Sequence, residues 1–218
     1  MTIIAITGTG TGVGKTHVAC ALLGALIDRG VRAVGWKPVE SGAIADADSD
    51  EASLSAVSRV ATPTLRLHAP LAPHLAARRE GVVIDSTNLR AALDVLAARW
   101  DVVVVELAGG LFSPFDDALD NAQWLVPIGA HVVVVAPDRL GVLHDVSATV
   151  RAAASVGLAL HAVVLSAPAV PDASTGTNLA ELAARATTCD LTMFGVPRAP
   201  RDALGKDPAI RDLAARLS

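Results

Sequence analysis

The sequence predicts an α/β protein built on a doubly wound, mostly parallel sheet with helices on both faces. Three observations carry this expectation. Short β-branched runs alternate with longer alanine- and leucine-rich stretches of helical period, the pattern of strand–helix–strand units. The strand runs are almost wholly apolar, as strands buried on both faces are. The first run is followed by a glycine-rich stretch, GTGTGVGKT from Gly8 to Thr16, where a strand hands over to a helix.

Taken in order, the strands fall near Ile3 to Thr7, Ala33 to Trp36, Val102 to Glu106, Val132 to Ala136 and Ala162 to Ser166, with a short one around Met193 to Gly195. Helices fit between them. The first runs from Lys15 to Asp28 and is closed by Gly30, and a short one starts at Asp50. Two more cover Pro73 to Arg79 and Ser86 to Ala98, the latter with Asp85 or Ser86 as its N-cap. Further helices are expected at Asp145 to Ser155, Asn178 to Ala186 and Pro208 to Leu217, with a surface loop between Pro168 and Gly176.

One domain spanning residues 1–218 accounts for all of this, and that length buries a substantial core. Hydrophobic residues make up 52%, yet no apolar run reaches the roughly 18 residues that span a bilayer, so no membrane partner is expected. The N-terminal run lacks the basic region of a signal peptide, which makes cytoplasmic residence the expectation. A net charge of −4 with no Lys/Arg cluster argues against a nucleic-acid partner. Cys20 and Cys189 lack metal-type spacing and read as buried thiols.

Glycines let a backbone approach an anion closely, so GTGTGVGKT reads as a phosphate-binding loop on a helix N-terminus, and the fold is expected to be of the P-loop NTPase type. Lys15 would reach phosphate oxygens and Thr16 would ligate magnesium. The loop departs from the common form: the glycine expected five places before Gly14 is Thr9, and Gly8 stands one residue earlier. In WKPVESG, Lys37 and Ser41 follow the second strand at the end of the sheet where such folds bind ligands. A surface lysine before a turn proline is the competing reading. Glu106 ends the run DVVVVE and precedes a small-residue turn, suiting a magnesium partner, against the alternative of a solvated strand end. In the acidic stretch Asp46 to Ser53, most residues read as a solvated turn with helix caps.

These motifs together resemble those of the dethiobiotin synthetase family. Its elongated loop Gly-Thr-x-Thr-x-Val-Gly-Lys-Thr matches Gly8 to Thr16, and Lys-Pro-Val-x-Ser-Gly matches Lys37 to Gly42. A Ser-Asp pair before a helix matches Ser49 and Asp50; Pro73-His74, Glu106 to Gly110, Leu140-Gly141 and Gly195 to Pro197 continue the register. The resemblance implies ATP- and Mg2+-dependent carboxylation of 7,8-diaminononanoate with CO2, closing a cyclic urea, in a homodimer whose substrate site lies at the interface. It implies nucleotide contacts from Gly12, Val13, Gly14, Lys15, Thr16, His17, Ser166 and Pro197, and magnesium on Thr16, Asp50 and Glu106. Lys37, Lys15 and Thr11 would be catalytic, with Lys37, Ser41 and Thr11 on the substrate.

Three positions depart from the family pattern. Leu107 replaces a glycine, which is expected to place bulk beside the magnesium site. His144-Asp145 stands where Asn-His is common, with an N-cap role for Asp145 as one account. Ser166-Ala167 replaces the adenine-reading Asn-Asp; a serine lacks the paired donor and acceptor of an amide, so weak base selection and use of other nucleoside triphosphates are expected. The alternatives are a related P-loop ligase activating another carboxylate or carbamate, and a regulatory ATPase with a protein partner. The latter class usually carries an extra lysine early in the loop, and Thr9 to Val13 contains none.

Overall fold

The computed structural model describes residues 1–42, 49–185 and 191–218, with residues 201 and 202 described by their backbone alone. The chain begins with β1 (Thr2–Gly8), α1 (Lys15–Asp28), β2 (Ala33–Trp36), β3 (Val39–Ser41), α2 (Asp50–Ser58) and β4 (Leu65–Leu67). It continues through α3 (Pro73–Glu80), α4 (Ser86–Arg99), β5 (Val102–Glu106), α5 (Asn121–Leu125), a 3-10 turn and β6 (His131–Pro137). Last come α6 (Val142–Ser155), β7 (Leu160–Ser166), α7 (Asn178–Arg185), β8 (Thr192–Val196), α8 (Arg201–Leu204) and α9 (Pro208–Leu217).

Six strands form the main sheet in the order β2-β5-β1-β6-β7-β8. Every pairing in it is parallel, so the expected mostly parallel sheet is wholly so. Successive side chains on a strand point to opposite faces, and the core divides accordingly. Ile4, Ile6, Val102, Val104, Val133 and Val135 pack against α1, α2 and α9. Ala5, Val34, Val103 and Val105 face α3, α4 and α5, while Val134, Ala136, Val163 and Leu165 meet α6 and α7. Val103 and Val104 are fully buried on opposite faces, and each such side chain contributes about 1.5–3 kcal/mol relative to exposure. Among the described residues, no helix is long and apolar enough to cross a membrane.

Several elements differ from expectation. β3 and β4 form a separate two-stranded parallel ribbon where no strand was expected. Asp120 opens α5 with a capping box to Gln123, a helix not expected from the sequence; α8 was not expected either. α6 begins at Val142, with Gly141 at φ 95 as its cap, so Asp145 lies inside the first turn and is not an N-cap. Its carboxylate instead lies 3.5 Å from Arg139. Asp85 is the N-cap of α4, accepting from the amides of Thr87 and Asn88. Cys20 is buried, whereas Cys189, Ala186 and the acidic positions Asp46 and Asp48 lie outside the described residues.

Candidate active site

The phosphate loop leaves β1 and enters α1, and the pairing of β1 with β6 explains its displaced glycine. Gly8 still pairs with Val135 in β6, and a Cβ there would stand 2.7 Å from Val13 and 3.1 Å from the Val135 carbonyl. The next residue stays anchored, with the Thr9 amide donating to the same carbonyl at 3.0 Å. Glycine is therefore needed at position 8, where the chain is tightest, and not at 9. Gly12 and Gly14 take φ of 72° and 95°, a region that favours glycine, and Gly14 caps α1. Lys15 folds over its own loop and donates to the Gly10 carbonyl at 2.8 Å.

β1 and β6 are neighbours, and the chain leaves β1 toward β2 at one sheet edge but leaves β6 toward β7 on the other side, the reversal that opens a crevice at the carboxyl end. Trp36 pairs with Val105, and Ile6 with Glu106, which brings Lys37 and Glu106 together beside the loop. Lys37 Nζ donates to Glu106 Oε1 at 2.8 Å and to Asp50 Oδ2 at 2.7 Å. The Thr16 hydroxyl lies 2.6 Å from Asp50 Oδ1 and 2.9 Å from Glu106 Oε1, and its single proton serves one of them at a time. Four residues from four separate elements thus meet, and the surface-lysine and solvated-carboxylate readings fall away: Lys37 is 3% exposed and Glu106 fully buried.

Burial works against the charge of Lys37, but Glu106 and Asp50 outweigh it and raise the ammonium above its ordinary range. Burial pushes the Glu106 carboxyl up, with Lys37 opposing. At Asp50 burial is outweighed by Lys37 and Thr16, and the carboxyl is held low. Burial, helped by the Lys37 charge, brings the Lys15 ammonium down to about 8.

The donor set suits a hard cation. Among the described residues no group of three or more His, Cys, Asp or Glu could hold a metal alone. Two carboxylates and a hydroxyl fit magnesium, which keeps waters and binds substrate phosphates instead of filling an all-protein cage. Glu106 Oε2 is buried without a hydrogen-bond partner, an oxygen left available for a cation.

A cleft of about 840 Å3 opens over this cluster, lined by Thr11, Lys15, Lys37, Ser41, Leu71 and Ser113 among others. Thr11 is exposed. The Ser41 hydroxyl donates to the Leu71 carbonyl at 2.7 Å and so ties two cleft walls together. Asn121, buried, donates to the carbonyls of Ala108 and Gly110 at 2.8 Å each and fixes the turn after Glu106. Leu107 does not crowd the metal cluster as expected: it is fully buried in the core facing α3, α4 and α5. His144 is exposed, and neither it nor Asp145 lines the cleft.

A second cavity of about 600 Å3 adjoins the loop, lined by Gly14, His17, Ser166, Ala167 and the segment Arg198 to Pro200. Ser166 lies directly under the loop, since a Cβ on Gly14 would stand 2.8 Å from its Oγ. Val13 is buried in the core beside α1, while Pro197 is exposed and outside the lining of that cavity. Arg198 was missed from the sequence although it directly follows Gly-Val-Pro. Glu40, also in the cleft lining, was missed because the motif leaves its position open.

A phosphate loop at the carboxyl end of β1, two buried lysines and an oxygen cluster define a P-loop nucleotide-binding enzyme. A family model described as an AAA domain matches residues 2–200. The chain is 42% identical over 164 residues to the ATP-dependent dethiobiotin synthetase BioD of Ralstonia nicotianae, covering 71% of this chain and 72% of the relative. It is 40% identical over 184 residues to that of Anaeromyxobacter dehalogenans, covering 82% of each. The chain therefore belongs to the ATP-dependent dethiobiotin synthetase family and is an ATP-dependent ligase. Solved structures share its fold at low identity. A ParA family ATPase from Chlorobium tepidum is 12% identical with a TM-score of 0.60 over 99% of each chain. The MinC:MinD complex of Aquifex aeolicus is 17% identical with a TM-score of 0.57, covering 100% of this chain and 95% of that one.

Proposed function

We propose that this enzyme carboxylates 7,8-diaminononanoate with CO2 and closes the cyclic urea of dethiobiotin. One amine adds to CO2 and loses a proton, giving a carbamate. A carbamate oxygen attacks the γ-phosphorus of ATP, ADP leaves, and a carbamic–phosphoric anhydride results. The second amine then attacks the carbamoyl carbon, phosphate departs, the amine loses its proton and the ring closes.

The observation that carries this reading is the placing of two buried lysines in one cleft, Lys15 on the phosphate loop and Lys37 at the end of β2, two strands away across β5. Phosphoryl transfer asks for positioning and charge stabilisation more than for a protein nucleophile. Lys15 and the loop amides hold the nucleotide phosphates, and Lys37 reaches the transferring group and the carbamate. Thr16, Asp50 and Glu106 would hold magnesium, which when bound neutralises phosphate charge. Thr11 and Ser41 face the carbamate end of the cleft; His17 and Ser166 stand beside the cavity that takes the nucleoside.

A homodimer in which a second copy covers the substrate's apolar chain completes this reading, as the family resemblance implies. Residues 1–218 act as one domain in the cytoplasm in this account. The test is incubation of the protein with ATP, Mg2+, bicarbonate and diaminononanoate, followed by mass analysis. Dethiobiotin is the expected product. ATP hydrolysis without it would favour a ligase for another acceptor.

A further inference from the structure

The β3–β4 ribbon presents two charged residues to the first turn of α2. Glu40 on β3 is in register with Arg66 on β4, and because the pairing is parallel both side chains share one face. The Glu40 carboxylate is buried at 6% exposure, and its two oxygens accept from the amides of Asp50 at 2.6 Å and Glu51 at 3.3 Å. The Arg66 guanidinium donates to Glu51 Oε2 at 2.6 Å. Ser49, the N-cap, takes the next amide, that of Ala52, at 3.0 Å.

A helix leaves its first four amides without intrahelical partners, and three of them are satisfied here, two by a residue remote from the helix. That is more than capping requires. A single N-cap side chain suffices for an ordinary helix start, and Ser49 supplies it. The first residue of this helix is Asp50, whose own amide is the one held closest by Glu40 and whose side chain meets both Thr16 and Lys37.

We infer that Glu40 is a positioning residue for the metal site: the ribbon grips the Asp50 backbone so that its carboxylate is delivered to Thr16 and Lys37. The inference rests on the reading of Asp50 as a magnesium ligand. Both Glu40 oxygens are engaged by amides, so Glu40 acts through Asp50 and not on the metal itself. The motif Lys-Pro-Val-x-Ser-Gly leaves position 40 unspecified, so this role is not one the motif itself assigns.

The test uses the full chain, with Mn2+ as the metal probe in the presence of ADP, its binding read by electron paramagnetic resonance. ADP binding in EDTA and the melting temperature are measured alongside. Glu40→Ala is expected to weaken Mn2+ about tenfold, the usual scale for losing a partner that orients a ligand, while ADP binding in EDTA stays near wild type. Glu40→Gln retains an acceptor oxygen but turns its NH2 toward the second amide, so an intermediate loss is expected; it carries the test if the alanine variant does not fold. In a double variant with Asp50→Asn, the Glu40 substitution should add no further loss of Mn2+ affinity. A lowered melting temperature with unchanged Mn2+ affinity would reduce Glu40 to a helix cap and overturn the inference. Additive losses in the double variant would make Glu40 a ligand, which also overturns it. Unchanged Mn2+ binding in Asp50→Asn alone would instead remove Asp50 from the metal site, and the inference with it.

Discussion

Lys37 Nζ lies 2.8 Å from Glu106 Oε1, a cation and an anion at the ends of two adjacent strands and both nearly inaccessible to water. The parallel register of β2 and β5 creates this contact, and under the proposed function it would tie stability to catalysis at one point.

Replacing Lys37 with Ala should abolish turnover and also loosen the fold. Loss of such an electrostatic stabiliser costs about 3–4 kcal/mol in the transition state, on the order of a hundredfold to a thousandfold in rate. Stranding the buried Glu106 carboxylate without its partner costs roughly 3–5 kcal/mol of stability, which denaturant unfolding will read. Lys15→Ala should fail by another route, through lost nucleotide binding. Wild-type turnover in Lys37→Ala would show that the site is wrongly placed.

Glu106→Gln and Asp50→Asn each remove a negative oxygen donor from the cluster around Thr16. Both variants should need more Mg2+ for half-maximal activity, while the KM for diaminononanoate changes little, because hard cations prefer anionic oxygen. Superimposable Mg2+ titrations for both variants and wild type would take these residues out of the metal site.

Base selection should be weak. Ser166 lies under the phosphate loop and offers no amide edge, so ATP, GTP and CTP are expected to differ by about tenfold or less in kcat/KM, since larger ratios require a buried polar group left unpaired by the wrong base. Kinetics at equal Mg2+ decide it. A preference for ATP of about a hundredfold or more would mean that the base is read elsewhere, in which case the Arg198 to Pro200 wall is the place to look.

The loop between β7 and α7 should be acid-sensitive. The Asp172 carboxylate accepts from the amide of Leu140, then from the hydroxyl and amide of Ser174, and these hold it at about 2 against an ordinary 3.8. A carboxyl lowered by folding stabilises the folded state above its unfolded value, and the contribution is lost as pH falls through the folded one. The stability gap between wild type and Asp172→Asn should therefore be constant above about pH 5 and shrink from there toward pH 2. A gap independent of pH across that window would rule out the carboxylate as its source.

Much of this architecture was legible because strands buried on both faces write continuous apolar runs. Val102–Glu106 and Ala33–Trp36 fall where the sequence places them, and α1 starts where the glycine loop ends. The ribbon was not legible: β3 and β4 have three residues each, too few to display a period. The start of α6 was misplaced because Gly141 caps it through backbone conformation, without the side-chain signal sought at Asp145. Leu107 was misjudged because adjacent strand-end residues point to opposite faces, so a bulky side chain next to Glu106 goes into the core. The convergence of Thr16, Lys37, Asp50 and Glu106 could be argued from motifs, but the grip of Glu40 on Asp50 needs the tertiary path.

In the proposed reaction a carbamate oxygen attacks the γ-phosphorus between Lys15 and Lys37. Supplying 18O-labelled CO2 with unlabelled ATP and water, and measuring the released phosphate by mass promptly after mixing, tests it directly. Attack by the carbamate transfers one labelled oxygen into each phosphate formed with dethiobiotin. Phosphate without label, released in step with dethiobiotin, would show that the oxygen came from elsewhere and would contradict the account.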